Sequence, residues 1–445
     1  MQTLEQLQAG ELAGCTSVKL ACGLTEFPRE LFNLADSLEL LDLSGNQLSA
    51  LPSDFGKFKK LKIAFFSDNL FTEYPEVLAD CPLLEMVGFK ANRISYISEK
   101  AISSHLRWLI LTNNCITQLP KSIGECKRLQ KFPLAGNQLT EIPEEMAMCR
   151  NLELLRISAN HIKELPEWLL TLPKLAWLAY ADNPCSEIKY SSPVLKEISW
   201  DELIIKEQLG EGASGIISKA IWNKKEQLEI AVKVFKGEVT SDGFPLSEMT
   251  ACAVADNHQC LVTLLGKISN HPQQKEGLVF ELIPTEFKNL GKPPSFESCT
   301  RDIFEVGTVF SIKELIDIAI HSVSVLSHLH DKGIMHGDFY AHNLMINLNS
   351  RTLLGDFGAA TLYDISSSNA YLHEKLDIRA YGCLLEDLLE RLEESEINDD
   401  LMTQLVKLKN DCLHEIVSQR PNLKDINSRL ISFKSLSSYT ASVSQ

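Results

Sequence analysis

Nowhere in this 445-residue chain do 18 apolar residues run together, so no membrane-spanning helix is expected. Positive charge is also scarce: 43 Lys and Arg stand against 59 Asp and Glu, a formal net charge of −16. A nucleic-acid backbone is recognised through a basic footprint, so it is not expected as the main partner. The 12 cysteines include no Cys-x-x-Cys pair, and no histidine cluster accompanies them. Cys81, Cys126 and Cys149 each stand three residues before a leucine (Leu84, Leu129, Leu152), where Phe58 and Leu172 occupy the equivalent places. Thiols exchangeable with Phe and Leu are expected to be small buried hydrophobes rather than metal ligands or disulfide partners. A reducing, cytoplasmic compartment is the matching expectation. Met1 to Gly14 has neither a cationic start nor an apolar core, so no secretory leader is expected there.

What the chain does have is two or three domains' worth of globular sequence, 44% apolar and 23% charged. Its first half is periodic. Asparagines recur at Asn46, Asn69, Asn92, Asn114, Asn137, Asn160 and Asn183, at intervals of 22 or 23 residues. Around each lies Leu-x-x-Leu-x-Leu-x-x-Asn-x-Leu, clearest at Leu38, Leu41, Leu43, Asn46 and Leu48. The frame resembles the leucine-rich repeat. Alternating leucines would form short strands whose inward side chains stack from repeat to repeat, with each asparagine amide bridging backbone groups of adjacent turns. Leu-Pro or Ile-Pro pairs at Leu51-Pro52, Leu119-Pro120, Ile142-Pro143 and Leu165-Pro166 would turn the chain out of each strand.

The residue before the second framework position should point to an open concave face. Down the array it reads Leu40, Ile63, Met86, Trp108, Lys131, Leu154 and Trp177. Such an apolar ridge supports strands, packs against the second half of the chain or binds a protein partner, and the region of Trp108 and Trp177 is the candidate partner groove. The period breaks over residues 184–200, which include the turn signal Tyr190-Ser191-Ser192-Pro193.

The second half carries a different set of signals. Gly210, Gly212 and Gly215 form Gly-x-Gly-x-x-Gly, which alone also fits a dinucleotide turn. Eighteen residues after Gly215, Lys233 interrupts the apolar strand Ile230-Ala231-Val232-Lys233-Val234. A lysine there is costly unless it meets an anion. Further on come His336-Gly337-Asp338-Phe339-Tyr340-Ala341-His342-Asn343 and, 13 residues after Asn343, Asp356-Phe357-Gly358. Together these resemble the glycine loop, lysine strand, catalytic loop and metal-binding motif of the protein-kinase fold.

The resemblance implies a set of roles. Asp338 would orient the attacking hydroxyl and accept its proton. Asn343 and Asp356 would hold Mg2+, while Gly210, Gly212 and Gly215 would let backbone amides cover the ATP phosphates. Lys233 would pair with phosphates and with a glutamate, Glu248 being the candidate and Glu238 the alternative. Leu278 to Ile283 resembles the strand entering the hinge, so the backbone of Glu281 and Ile283 would bind adenine, with Phe280 beside them. His336 is expected to be a scaffold residue. Asp377, in Asp377-Ile378-Arg379-Ala380-Tyr381-Gly382, would brace the catalytic loop.

Several positions depart from the family. Gly337 stands where an arginine usually precedes the catalytic aspartate, so control by a phosphate in the activation segment is expected to be missing. Tyr340 and His342 stand where Lys or Arg would mark the acceptor class. Residues 285–310 form a hinge-side insertion, in which Arg301 and Asp302 are candidates for a surface ion pair or a place near ribose or substrate. Only 20 residues separate Asp356 from Asp377, and no Ala-Pro-Glu appears; Glu374 is a candidate partner for Arg420.

The expected architecture is multidomain, α/β plus α+β: a leucine-rich-repeat solenoid over residues 1–185, a linker at 186–202, and a bilobal protein-kinase-like fold. Its N-lobe is expected at 203–283 and its C-lobe at 284–435, with a tail at 436–445. This layout is similar to the soluble repeat-kinases of bacteria. It implies an ATP- and Mg2+-dependent protein kinase, with serine/threonine as the expected acceptor class and the repeats recruiting a protein. A pseudokinase scaffold and a small-molecule kinase are the alternatives.

Overall fold

The computed structural model describes the whole chain except Met1, residues 188–193, Ala213, residues 225–226, Glu238, Ser241, residues 394–398 and residues 444–445, with side chains described as far as Ser435. The chain divides into two compact units, Met1–Leu172 with Asn183–Cys185, and Pro173–Asp182 with Ser186–Gln445.

The first unit is a sheet-rich repeat array. Strands Ser17–Lys19, Leu40–Asp42, Ile63–Phe65, Met86–Gly88, Trp108–Ile110, Lys131–Pro133 and Leu154–Arg156 lie parallel in that order. Their middle residues pair in register, Leu41 with Ala64, Ala64 with Val87, and Val87 with Leu109. Those middle residues are wholly buried, from Val18 through Phe132 to Leu155, because strand alternation sends every second side chain inward. The Ser17–Lys19 strand begins the array one turn before the first asparagine, where Gly23 stands in its place.

Each asparagine ties neighbouring turns. Asn137 donates from Nδ2 to the carbonyls of Leu111 (2.9 Å) and Leu134 (2.8 Å) and accepts from the Ile116 amide (3.0 Å). Asn69 repeats the pattern with Leu43, Phe66 and Leu48. Buried backbone groups that the short strands leave unpaired thereby find partners. Pro28, Pro75, Pro120 and Pro143 each stand immediately before a 3-10 turn, where a missing N–H costs nothing. Cys81, Cys126 and Cys149 are buried, and burial pushes their thiols up to about 12, 12 and 11. None of the twelve cysteines is in a disulfide.

The open ridge is not formed as expected. Met86, Lys131, Leu154 and Trp177 are buried, at 3%, 4%, 8% and 1% exposure. Lys131 is accommodated by placing its ammonium 4.7 Å from the centre of the Trp108 ring. Trp177 is buried for a different reason: it belongs to the second unit and packs there. Leu40, Ile63 and Trp108 remain half-buried.

The second unit opens with a six-stranded sheet in the order Leu203–Glu211, Gly215–Trp222, Leu228–Phe235, Gly277–Glu281, Leu264–Ser269, Glu197–Ser199. All neighbours are antiparallel except the last pair, which runs parallel from Glu197 beside Lys267. The stretch expected to be a linker thus supplies an edge strand, with Ile198 fully buried beside Trp222, Ile230 and Val232. The turn signal at residues 190–193 lies outside the described residues. Helix Pro245–Ala255 packs with this sheet, and among the described residues four longer helices follow: Ile312–Asp331, Ala370–Leu389, Asp399–Cys412 and Leu423–Val443. The last runs past the expected end at 435. Among the described residues no helix is long and apolar enough to cross a membrane.

Candidate active site

Alternation along Leu228–Phe235 decides what faces the cleft. Ile230 and Val232 enter the hydrophobic cluster, so Ala231 and Lys233 point the other way, into a cleft of about 190 Å³. Ile217, Phe280, Leu354 and Asp356 also line it. Lys233 is 7% exposed, and its ammonium forms a short ion pair with Glu248 on helix Pro245–Ala255. Glu238 lies outside the described residues, and Glu248 is the carboxylate the structure places on Lys233. The Asp356 carboxylate stands 3.8 Å from the same ammonium.

The titration of this trio follows from burial opposed by charge. Burial pushes Glu248 up to about 7, with Lys233 opposing. Desolvation works against the charge on Lys233, yet Asp356 and Glu248 together hold its pKa above the ordinary lysine value. Asp356 keeps half its side chain exposed, and what desolvation it meets is outweighed by Lys233 and the Gly358 amide, which bring it below the usual carboxylate range.

Two hairpin-like pieces set the catalytic loop. Ile334–Met335 pairs with Thr361–Leu362, and Leu344–Ile346 pairs with Thr352–Leu354, so residues 336–343 are held at both ends. Asn343 Nδ2 donates to the Asp338 carbonyl and to its Oδ2, both at 2.8 Å, fixing the carboxylate in place. Asp377 accepts from the amides of His336 (2.8 Å) and Gly337 (3.2 Å) and is joined to His330 Nε2 at 3.0 Å. His336 is wholly buried, its Nε2 bonded to the Gly355 carbonyl at 3.2 Å, as befits a scaffold residue. Asp356 takes a left-handed backbone, φ +51°, which its side chain tolerates by accepting from the Gly358 amide at 3.1 Å.

The glycines differ in what they require. A Cβ on Gly215 would come within 2.7 Å of the Val234 carbonyl, so strand packing demands glycine there. Nothing lies within 4 Å of a Cβ built on Gly210 or Gly212, so their bareness serves no internal packing and leaves room for an approaching group. Glu281 and Ile283 line the far end of the cleft, with the Glu281 amide donating to Thr263 O at 3.0 Å.

The insertion at 285–310 is part of the catalytic loop's support. Lys288–Asn289 pairs with Leu344–Ile346, and buried Asp302 accepts from the Ala341 amide (2.7 Å) and bonds His342 Nδ1 (2.5 Å). Burial lowers the pKa of His342, and the bond to Asp302 more than offsets it, leaving the imidazole raised. Arg301 pairs instead with Glu386. Glu374 does not meet Arg420: it accepts from the Leu423 amide, and Arg420 donates to the carbonyls of Lys375, Pro173 and His414. Sequence reasoning missed Asp302 as a brace and missed Tyr180 and Asp182 as members of this unit, whereas packing of Trp177 within the chain was among the expected alternatives. Only the unusual Gly337 hinted that something else occupies the arginine's place.

Comparison with known proteins agrees with this geometry. The family described as Protein kinase domain matches residues 203–375, and Leucine Rich Repeat matches residues 37–58. Fibroblast growth factor receptor 1 of Pleurodeles waltl is 25% identical over 285 residues, covering 52% of this chain and 34% of the receptor. The same receptor from Xenopus laevis is 23% identical over 297 residues, covering 54% and 36%. The dual specificity protein kinase pyk3 of Dictyostelium discoideum is 22% identical over 277 residues, covering 54% and 19%. The matched stretch spans about a third of the two receptors' own length. The chain therefore carries a protein kinase domain, preceded by leucine-rich-repeat sequence.

Proposed function

We propose that this chain is an ATP-dependent protein kinase that transfers the γ-phosphate to a protein hydroxyl, serine or threonine by expectation. The observation that carries the reading is that Lys233, Glu248 and Asp356 meet in one cleft, while Asn343 holds the Asp338 carboxylate on the loop that precedes Asp356. The cleft suits the nucleotide: apolar Ile217, Ala231 and Leu354 offer surface to a flat base, and Lys233 offers charge to phosphates. The open space over Gly210 and Gly212 lets backbone amides approach those phosphates. Backbone groups of Glu281 and Ile283 orient the base.

Asn343 and Asp356 are the residues that would hold Mg2+. Among the described residues no group of three or more His, Cys, Asp or Glu could hold a metal. Phosphate oxygens would complete the coordination, as is usual for this ion. The bound ion supplies neutralisation of phosphate charge. Asp338, oriented by Asn343, accepts the hydroxyl proton as the phosphoryl group moves. Glu248 keeps Lys233 in place, and Asp377 fixes the loop that carries Asp338.

The repeat array, in this reading a solenoid, recruits a protein, with half-buried Leu40, Ile63 and Trp108 as the remaining candidate contacts of the original ridge. Incubation with Mg-ATP and either generic protein substrates or small alcohols tests the assignment. Transfer to protein supports it; transfer to alcohols alone makes the chain a small-molecule kinase, and nucleotide binding without transfer makes it a scaffold.

A further inference from the structure

Ten residues with the sequence register of a repeat strand, Pro173–Asp182, belong to the kinase unit. Their contacts reach the catalytic loop, the strand that follows Asp356 and the helix that carries Glu248. The Trp177 ring stacks on Tyr340 at 4.1 Å and 8°, and its Nε1 donates to the Phe339 carbonyl at 3.2 Å. The Leu178 carbonyl lies so close to Gly337 that any Cβ there would collide with it, and Gly337 itself has φ +68°. The Tyr180 amide donates to Thr361 Oγ1 (3.3 Å), and the Tyr180 hydroxyl bonds His373 Nε2 (2.8 Å). At the end of the stretch, Asp182 accepts from the Phe244 amide (3.0 Å) and from the Ser247 hydroxyl. Phe244 is the N-cap of helix Pro245–Ala255 and has no side-chain cap of its own, so Asp182 supplies the missing anion at the helix start. Arg379 and Arg420 anchor the other end through the carbonyls of Lys174 (3.0 Å) and Pro173 (2.9 Å).

We propose that Pro173–Asp182 is a built-in strap that aligns the active site, with Trp177 positioning the catalytic loop and Asp182 positioning the helix that carries Glu248. The inference rests on the kinase reading for its consequence in turnover, but not for the ordering itself. The strap stands in the space where a side chain at position 337 would go. The loop therefore takes its order from the chain's own preceding segment instead of from a modified residue. Trp177 and Asp182 touch no reacting atom; they act through Tyr340, Phe339 and Ser247.

Amide hydrogen exchange and steady-state turnover on the full chain test this together. Trp177→Leu should speed exchange over residues 336–343 at least tenfold and lower kcat at least tenfold, with KM for ATP changed less than threefold. Trp177→Phe, which keeps a stacking ring, should return both to within threefold of wild type. Asp182→Ala should speed exchange over residues 244–250 at least tenfold while residues 17–48 stay unchanged. Unaltered exchange in both Trp177→Leu and Asp182→Ala overturns the proposal, as does faster exchange without loss of kcat in an active enzyme. Should Trp177→Leu fail to fold, Asp182→Ala decides by the same criterion. A wild-type protein that transfers no phosphate, yet shows these exchange changes, removes the kinase reading and leaves the strap standing.

Discussion

The indole of Trp177 lies parallel to the ring of Tyr340, 4.1 Å away, and reaches past it to the Phe339 carbonyl. A residue in the register of a repeat strand is thus part of the support under the catalytic loop. Buried at 1% exposure, it has no surface to offer a partner. Its loss should be felt in turnover and not in partner capture.

The asparagine ladder should be the repeat array's most sensitive polar feature. Asn137→Ala leaves the buried Ile116 amide without its partner and takes one of two donors from each of the Leu111 and Leu134 carbonyls, which keep Asn114 and Asn160, a cost of about 1–3 kcal/mol. Asn151, whose side chain bonds the Lys127 carbonyl at the surface, should cost less than about 1 kcal/mol when changed to Ala. Urea denaturation of the two variants should separate them; equal midpoints would contradict the bridging role.

Acid should weaken the second unit through His373. Burial, with help from neighbouring His330, pulls this ring down to about 4. Below the ordinary histidine value of about 6.5 the unfolded chain gains a proton that the folded chain refuses. Stability therefore falls as pH drops from about 6.5 to 4, by up to about 3 kcal/mol. His373→Phe keeps the stack on Tyr363, 4.3 Å away and within 4° of parallel, and should flatten that slope. Denaturation midpoints at pH 7 and pH 4.5 provide the comparison, and an undiminished slope in the variant would exclude His373 as the cause.

Activation-segment hydroxyls should divide by burial. Thr361 is 1% exposed, lies in the strand paired with Ile334–Met335, and accepts from the Tyr180 amide. Thr361→Ala should therefore lower the melting temperature. Ser366, Ser367 and Ser368 are exposed, and changing all three to Ala should leave kcat within threefold. A tenfold loss would mean that phosphorylation orders this segment after all.

Local patterns made much of this legible. Period-23 asparagines announced the array because each repeat solves the same backbone-pairing problem. The apolar strand broken by Lys233 announced a buried cation, and Glu248, at the correct helix position, is the anion that meets it. What stayed hidden depends on contacts across long sequence separations. Nothing near Trp177 says that residue 340 will cover it, and nothing near Asp302 says that it will hold Ala341 and His342. Glu374 and Arg420 had the right charges for a pair, but each found backbone partners that compete successfully. Glu197–Ser199 read as linker because three residues are too short to show a period, although Ile198 completes a core.

Phosphosite mass spectrometry after incubation of the purified chain with Mg-ATP, beside Asp338→Asn, tests the central claim most directly. Phosphate is expected on serine or threonine in the wild type and at least a hundredfold less in the variant, with nucleotide-dependent melting shifts in both. Equal phosphate in the two proteins, or none in either, would contradict it.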